Sequence, residues 1–391
     1  MVKRAVDLFA GCGGLSLGFQ GAGFEVVGAF EHWEIAASCY EDNFDHPVFR
    51  EDLSDVESSI KKIKALNPDI IIGGPPCQDF SHAGKRVEDK RAALTEVFAA
   101  IVATVKPGWF VMENVDRAQK SETYSAARTI FKNAGYGLTE VVLNASLCGV
   151  PQRRKRFFCI GSQGEKDGFL EDYMMQNLHL TEMTLRNYFG ASLDFEHYYR
   201  HPRNYNRRAI YSIDEPSPTI RGMNRPVPPG YPGHPNDAKE LDHSIRALTT
   251  LERALIQTFP ANFKWSGSKT DMEQMIGNAV PVKLAEFVAK ALKHHIGNDK
   301  TERLHLVNYA PFLEWLCSTQ TMSERTKRDT ISRLKRANAI SAVPSIPEAY
   351  YIFALEQLDD FKTLKPTVRS QIKRAVSLYA DYRKMEVATS I

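Results

Sequence analysis

The chain has 391 residues, of which 43% are hydrophobic and 25% charged, and its formal net charge at pH 7 is +3. This length suffices for one large α/β domain with a smaller domain beside it. No apolar stretch reaches the ~20 residues that span a membrane, and the N-terminal segment lacks a signal-peptide pattern. The six cysteines form no C-x-x-C pair, which argues against zinc and against a disulfide framework. We therefore expect a reduced, cytoplasmic protein without metal.

Positive charge is concentrated in two regions of the chain. Residues 300–391 contain 15 Lys and Arg against 10 Asp and Glu, and residues 196–231 contain six arginines against three acidic residues. Such clustering favours a polyanionic partner, although charge alone does not distinguish DNA from RNA.

Short apolar segments at 4–9, 25–30 and 69–72 predict strands of an open α/β sheet. The first strand leads into a glycine-rich turn that contains Gly11, Gly13 and Gly14, where the backbone can approach a ligand. Glu31 ends the second strand, roughly 20 residues later, and fits two ribose hydroxyls. Asp52 closes the segment 48–52 and can accept a hydrogen bond from an adenine amino group.

The segment 73–81, Gly-Gly-Pro-Pro-Cys-Gln-Asp-Phe-Ser, places Cys77 on the loop that leaves the strand at 69–72. Pro75 and Pro76 end the strand and stiffen this loop. Open α/β sheets bind their ligands at this edge. A rigid mount at such a position indicates a nucleophile and not a core filler.

Two later segments supply groups that can stabilise a charged intermediate. The apolar run 109–112 ends at Glu113, which places a carboxyl group at the end of another strand. The run Pro-Gln-Arg-Arg-Lys-Arg at 151–156 precedes an apolar strand at 157–160. If 154–156 is extended, Arg154 and Arg156 point the same way and face one anionic target.

Taken in order, these motifs resemble those of the S-adenosylmethionine-dependent DNA (cytosine-5) methyltransferases of bacterial restriction–modification systems. The resemblance covers about residues 4–294 and includes Asp-Leu-Phe-Ala-Gly-Cys-Gly-Gly at 7–14, Glu-Asn-Val at 113–115 and Gln-Met-Ile-Gly-Asn-Ala-Val-Pro at 274–281. It implies an α/β, Rossmann-like methyltransferase sheet with a small target-recognition domain and a C-terminal helical extension. The implied divisions are a catalytic domain at 1–162 completed by 272–296, a recognition domain at 163–271 and an extension at 300–391.

The same resemblance implies the roles of the site residues. Cys77 would attack carbon 6 of a flipped cytosine, Glu113 would hold and protonate ring nitrogen 3, and Arg154 and Arg156 would stabilise the charge. The residues implied for S-adenosylmethionine are Asp7, Phe9, Gly11, Gly13, Gly14, Leu15, Glu31, His32, Asp52, Leu53, Pro75, Leu94, Asn278 and Val280. Either His32 or Trp33 would pack against the adenine.

The implied partner is duplex DNA, with a cognate restriction endonuclease acting on the same site. The residues expected to contact DNA are Gln78, Ser81, His82, Lys85, Arg86, Arg200, Arg203, Arg207, Arg208, Arg221 and Arg225. Two alternatives remain at this point: a tRNA cytosine-5 methyltransferase, and an inactive DNA-binding regulator that keeps the fold.

The sequence of the extension predicts two longer helices. Ser323 is placed to cap a helix that runs to about Ala339, with Ile331, Leu334 and Ala337 on one face and Lys327, Arg328, Lys335 and Arg336 elsewhere. A second helix is predicted from near Pro366 to beyond Tyr379. This extension could bind DNA, or it could dock on the catalytic part or on a partner.

Overall fold

The computed structural model describes residues 2–76, 88–204, 206–297, 309–319, 322–340, 352, 355–356 and 358–388. The chain forms two compact units, one made of Met1–Phe169 and Glu182–Lys293 and the other of Leu170–Thr181 and His294–Ile391. The predicted catalytic and recognition domains thus fall mostly within the first unit. The boundary between those two domains stays a prediction.

The first unit is built on a seven-stranded sheet in the order β3-β2-β1-β4-β5-β8-β6. β1 to β5 are parallel, and β8 lies antiparallel between β5 and β6. Two small sheets pair β9 with β10 and β7 with β11. The strands are β1 (Arg4–Leu8), β2 (Glu25–Phe30), β3 (Val48–Phe49), β4 (Ile70–Gly73), β5 (Trp109–Val115), β6 (Tyr136–Asn144), β7 (Gln152–Arg153), β8 (Lys155–Gln163), β9 (His197–Tyr199), β10 (Ile210–Ser212) and β11 (Ser217–Pro218).

Helices connect the parallel strands, as crossovers between parallel strands require. Short 3₁₀ turns occur at Ala118–Lys120, Ala145–Leu147 and Gly190–Ser192. The helices up to residue 297 are α1 (Gly14–Gly21), α2 (Glu34–Glu41), α3 (Val56–Ala65), α4 (Glu88–Val105), α5 (Glu122–Asn133), α6 (Glu171–Gln176), α7 (Leu185–Phe189), α8 (Thr250–Ile256), α9 (Lys269–Asn278) and α10 (Val282–Gly297).

Two core clusters cover the two faces of the sheet. Phe30 packs in one cluster with Phe98, Phe110 and Phe131, whereas its neighbour Ala29 packs in the other. Successive residues of a strand point to opposite faces. The apolar strands predicted from the sequence are therefore confirmed as buried parallel strands, and the α/β fold class is confirmed with them.

The second unit is helical at its C-terminal end. It contains α11 (Ala310–Thr319), α12 (Glu324–Ile340), α13 (Asp359–Lys362) and α14 (Pro366–Ala388). Ser323 accepts a hydrogen bond from the backbone N–H of Thr326 at 3.2 Å, so both the predicted cap and the predicted helix are confirmed. The start of α14 at Pro366 is confirmed as well. None of the helices in the described part of the chain is long and apolar enough to cross a membrane.

Candidate active site at the carboxyl edge of the sheet

The glycine-rich loop lies at the carboxyl end of β1 and opens α1. Gly11 and Gly13 take positive φ angles of 56° and 95°, which favour glycine. A Cβ atom at Gly11 would have no heavy atom within 4 Å, whereas one at Gly14 would lie 2.3 Å from the carbonyl oxygen of Val280. Open space therefore adjoins the loop at Gly11, and the 274–281 motif closes against it at Gly14.

Asp7 supports this loop from below. Its side chain is fully buried and accepts a 2.7 Å hydrogen bond from the Ser16 hydroxyl, which in turn accepts one from Tyr40 at 2.6 Å. Asp7 is therefore anchored beneath the loop through Ser16, and its contact with S-adenosylmethionine stays a prediction.

Glu31 is fixed at the end of β2 by two backbone groups. Its Oε2 accepts the N–H of Gly11 at 2.7 Å, and its Oε1 accepts the N–H of Trp33 at 2.7 Å. A carboxylate oxygen has further lone pairs, so each can still accept a ligand hydroxyl. Glu31 is therefore preorganised for a diol.

The remaining predicted cofactor residues lie on neighbouring loops and helices. Asp52 and His32 are exposed, Trp33 is partly buried against the cluster that includes Tyr40, and Leu94 is partly buried in α4. Leu15 and Leu53 are buried in the core. Asn278 is exposed at the end of α9, where its Oδ1 accepts a hydrogen bond from Gln274 at 3.1 Å.

The loop that leads to Cys77 leaves β4 beside Glu113. A Cβ atom at Gly74 would lie 3.1 Å from Oε2 of Glu113, so glycine allows the carboxyl group to approach the backbone. The Asn114 amide donates to the carbonyl oxygen of Pro75 at 3.1 Å. Asn114 was not singled out from the sequence, although it belongs to the Glu-Asn-Val motif. The base of the loop is thus tied to β5.

Glu113 forms a largely buried ion pair with Arg156. Oε1 of Glu113 lies 2.8 Å from Nε of Arg156, and the two side chains are 11% and 14% exposed. Burial raises the pKa of Glu113, and the guanidinium groups of Arg156 and Arg154 offset part of that effect. β5 continues beyond the predicted 109–112, so Glu113 lies within the strand and pairs with Phe158.

Arg154 does not share the target of Arg156. It lies between β7 and β8, 1% exposed, and donates to the carbonyl oxygens of Ile220 at 2.8 Å, Gly277 at 2.9 Å and Ala279 at 3.1 Å. The prediction that both arginines face one anion is therefore wrong. Residue 154 is outside a strand, so strand alternation does not apply to it.

A glutamine pair completes this junction. The Gln152 amide donates to Gln257 Oε1 at 2.7 Å, and Gln152 Oε1 accepts the N–H of Ile220 at 2.9 Å. Gln257 also donates to the carbonyl oxygens of Ile276 and Ala279. Gln257 carried no sequence signal, because its partners are separated from it in the chain.

Arginines gather on the segment 199–225. Arg203, Arg207 and Arg225 are exposed, whereas Arg200 donates to the carbonyl oxygen of Thr219 at 2.8 Å and Arg221 donates to that of His201. Burial and the neighbouring Arg200, Arg203 and Arg207 lower the pKa of Arg221 to about 10. These cations repel one another, which is the electrostatic signature of a site for an anion.

Arg208 is engaged within the protein. Its Nη1 lies 2.9 Å from Oε1 of Glu215, and its guanidinium stacks 4.2 Å from the centre of the Tyr211 ring. Arg208 is thus held by partners within the protein, and its contact with DNA stays a prediction.

Part of the predicted site lies outside the described residues: Cys77, Gln78, Ser81, His82, Lys85 and Arg86. The five cysteines that are described are free thiols. Within the described ranges, no group of three or more His, Cys, Asp and Glu side chains is arranged to hold a metal ion.

The residues that are described fit S-adenosylmethionine. The open space at Gly11 suits the methionine part and the fixed carboxylate of Glu31 suits the ribose diol. Asp52, at the end of the segment after β3, is exposed where an adenine amino group could be bound.

Comparison with known proteins agrees with this geometry. Residues 3–294 match the sequence profile of the C-5 cytosine-specific DNA methylases. The chain is 55% identical over 291 residues to the type II methyltransferase M.HindV of Haemophilus influenzae, covering 74% of this chain and 96% of that protein. It is 52% identical over 305 residues to the type II methyltransferase M.HgiDI of Herpetosiphon aurantiacus, covering 78% and 98%.

Among solved structures, the Entamoeba histolytica methyltransferase EhMeth aligns with a TM-score of 0.59 at 20% identity, covering 76% of this chain and all of that one. Likeness at this identity shows the fold alone. The sequence matches go further, and S-adenosylmethionine is the methyl donor of the enzymes that they identify. The chain therefore belongs to the C-5 cytosine-specific DNA methylase family and is a DNA cytosine methyltransferase of the type II restriction–modification kind.

Proposed function

We propose that the enzyme methylates carbon 5 of a cytosine flipped out of a short duplex sequence, through a transient bond between Cys77 and carbon 6. The observation that carries this proposal is the position of Glu113. Its buried carboxyl group adjoins Gly74, three residues before Cys77, and Asn114 holds the intervening Pro75. The proton donor Glu113 therefore lies beside the first residues of the loop that carries Cys77.

The chemistry follows from the electronic needs of the ring. The Cys77 thiolate forms a bond to carbon 6, and the displaced electron pair makes carbon 5 nucleophilic while Glu113 delivers a proton to ring nitrogen 3. Bound S-adenosylmethionine supplies an electrophilic methyl group to carbon 5. Loss of the carbon 5 proton to solvent then breaks the bond to sulfur, returns the thiolate and lets nitrogen 3 give its proton back.

Arg156 has a positioning role in this scheme. It orients the Glu113 carboxyl group at 2.8 Å and places positive charge where the ring becomes negative. The raised pKa of Glu113, caused by burial, favours the protonated form that nitrogen 3 requires.

Recognition of the DNA is proposed for residues 163–271. The exposed Arg203, Arg207 and Arg225 adjoin the partly buried Arg200 and Arg221. Arginine reads guanine in the major groove and also binds phosphate. We assign Gln78, Ser81, His82, Lys85 and Arg86 to the segment that contacts DNA around the flipped base.

The biological role that we propose is protection of bacterial DNA. A cognate restriction endonuclease would cut the same sequence when it is unmethylated. Because the substrate is cellular DNA, the enzyme would act in the cytoplasm, at the nucleoid.

A cytosine analogue with fluorine at carbon 5 tests the covalent step. Fluorine cannot leave as a cation, so we expect a denaturation-resistant adduct between Cys77 and the cognate duplex when methyl donor is present. Cys77→Ala should form no adduct and lose at least about 10³-fold in turnover, the scale of a lost nucleophile. Cys317, an exposed thiol on α11, provides the control, since Cys317→Ala should behave as the native protein. Normal methylation by Cys77→Ala would overturn the proposal.

A further inference from the structure

The helical extension presents a cationic face that the family's activity does not use. Helix α12 (Glu324–Ile340) contains six Lys and Arg residues and two acidic residues. It lies outside residues 3–294, which match the family. Its charges therefore call for an explanation beyond methyl transfer.

One face of α12 is buried against other helices of the second unit. Lys327, Thr330, Leu334 and Ala337 are at most 7% exposed, and α12 packs against α14. Lys327 was predicted to lie away from this apolar face. It lies on it, and its ammonium group is paired with Glu324 at 2.8 Å.

The opposite face carries four exposed cations. The four cations are Arg325, Arg328, Lys335 and Arg336, and the exposed Ser332 lies between the first two and the last two. Helical periodicity places these positions on one side of the helix. The only acidic residue at an exposed position among them, Asp329, is paired within the helix with Arg333 at 3.8 Å.

These cations have few partners within the protein. Among the described residues, Arg325 and Arg336 have no hydrogen bond or ion pair, and Lys335 only lies 6.0 Å from the centre of the Tyr309 ring. From Arg325 to Arg336 the helix rises about 16 Å. That length suffices to reach across the ~12 Å opening of a major groove to phosphates on both sides.

We infer that this face of α12 is a second DNA contact, which binds the duplex backbone outside the methylated sequence. The inference rests on the family's DNA substrate. Protein interfaces need buried apolar or aromatic anchors, and the exposed face from Arg325 to Arg336 has none. A membrane surface would need an exposed apolar stripe, but the apolar side of α12 is buried. A phosphate backbone needs only cations.

The test uses the full chain with Arg325→Gln, Arg328→Gln, Lys335→Gln and Arg336→Gln combined. Affinity for a duplex of ~30 base pairs is measured over a range of salt. Four lost phosphate contacts should reduce the slope of log K against log salt by about 3 to 4, at roughly 0.9 per phosphate. Turnover at saturating DNA should not change. On a duplex of ~12 base pairs, too short to reach beyond the target, the variant should match the native protein.

The matched control removes four charges from the first unit, at the edge of the sheet away from the candidate active site. The control residues are exposed lysines near the amino ends of β4 and β5, or near the end of β8 that pairs with the start of β5: Lys61, Lys64, Lys106 and Lys166. Their Gln variant should keep the native salt slope. If the α12 variant is poorly folded by circular dichroism, the pairs Arg325→Gln with Arg328→Gln and Lys335→Gln with Arg336→Gln should each give half the effect.

A native slope in the α12 variants, or an equal loss in the control, would overturn the inference. So would a loss confined to RNA duplexes of the same length. Failure of the proposed chemistry would give a different result. The adduct with Cys77 would be missing, whereas the salt slope of the α12 variant would still be smaller than those of the native protein and the control.

Discussion

Asp7 shows how one buried carboxyl group can link the cofactor loop to pH. Desolvation by burial raises its pKa to about 7, the Ser16 hydrogen bond opposes this, and Glu31 adds to it. The protonated carboxyl group is therefore the favoured form beneath the loop below neutral pH. Its other oxygen, Oδ1, has no hydrogen-bond partner among the residues that the structure describes, which is consistent with a neutral group.

We predict that Asp7 makes the enzyme less stable as pH rises from about 4 to 7. In the unfolded chain the carboxyl group ionises near its ordinary pKa of 3.8, whereas in the folded chain it keeps its proton to about pH 7. The unfolded state thus binds fewer protons in this window, and the free energy of unfolding falls by about 1.4 kcal/mol per pH unit. Above about pH 8 the loss, about 4 kcal/mol, is nearly complete and stays constant.

Asp7→Asn removes the ionisation and should flatten the profile. Melting temperatures of the two proteins are compared from pH 5 to pH 8, with the exposed Asp42→Asn as control. The native protein and the control should lose stability relative to Asp7→Asn as pH rises. Parallel profiles for all three proteins would refute the assignment.

For single residues, the sequence predicted which side chains lie at the site better than it predicted their hydrogen-bond partners. Glu31 and Glu113 stand at the sheet edge where their motifs place them. Arg154 and Arg208 are bound to groups that no local pattern reveals. The three carbonyl partners of Arg154 lie 66 to 125 residues away in the chain.

At the scale of elements, apolar runs were sufficient to place the central strands. β2 spans the predicted residues, β1 ends one residue earlier than predicted, and β4 is shifted by one residue toward the C-terminus at both ends. The polar end of β5 was missed because Glu113 and Asn114 interrupt the apolar pattern. Their pairing with Phe158 and Phe157 of β8 continues the strand regardless, and only the tertiary structure supplies that partner.

A buried ion pair joins α8 and α9 under the arginine-rich segment. Arg253 and Glu273 are paired and each is 4% exposed. Glu273 Oε1 also accepts hydrogen bonds from Thr250 at 2.7 Å and Asn224 at 3.2 Å, and Arg253 donates to the carbonyl oxygen of Arg221. α8, α9 and the backbone at Arg221 are thus joined through one pair of charges.

We predict that Glu273→Gln destabilises the protein by about 3–5 kcal/mol, because it leaves the Arg253 charge buried without its counterion. Gln keeps the Oε1 acceptor for Thr250 and Asn224, so the charge is the main change. Urea unfolding of the single variant and of Glu273→Gln with Arg253→Met measures this, and the second substitution should recover part of the loss. If the single variant loses less than about 1 kcal/mol, the pair does not secure these helices.

At the scale of the whole molecule, the chain is longer than the two relatives M.HindV and M.HgiDI. The alignments use 96% of M.HindV and 98% of M.HgiDI but leave about a quarter of this chain uncovered. The second unit contains the C-terminal helices that the family match lacks. Catalysis and the extension should therefore be separable.

We predict that deleting residues 300–391 keeps methyl transfer at low salt but lowers the salt concentration at which methyl transfer is half lost. The catalytic residues and the family match lie before the deletion, whereas the cations of α12 are removed. Between ~50 and ~200 mM salt, affinity falls steeply for proteins that make many phosphate contacts. The truncated enzyme has fewer contacts and a weaker starting affinity, so its activity at subsaturating DNA should fail at lower salt, as it should in the four-Gln variant of α12. Transfer of a labelled methyl group to a duplex of ~30 base pairs measures this. Equal salt midpoints for full-length and truncated enzymes would assign the extension to a task other than holding DNA, and loss of turnover at low salt would make it part of the catalytic fold.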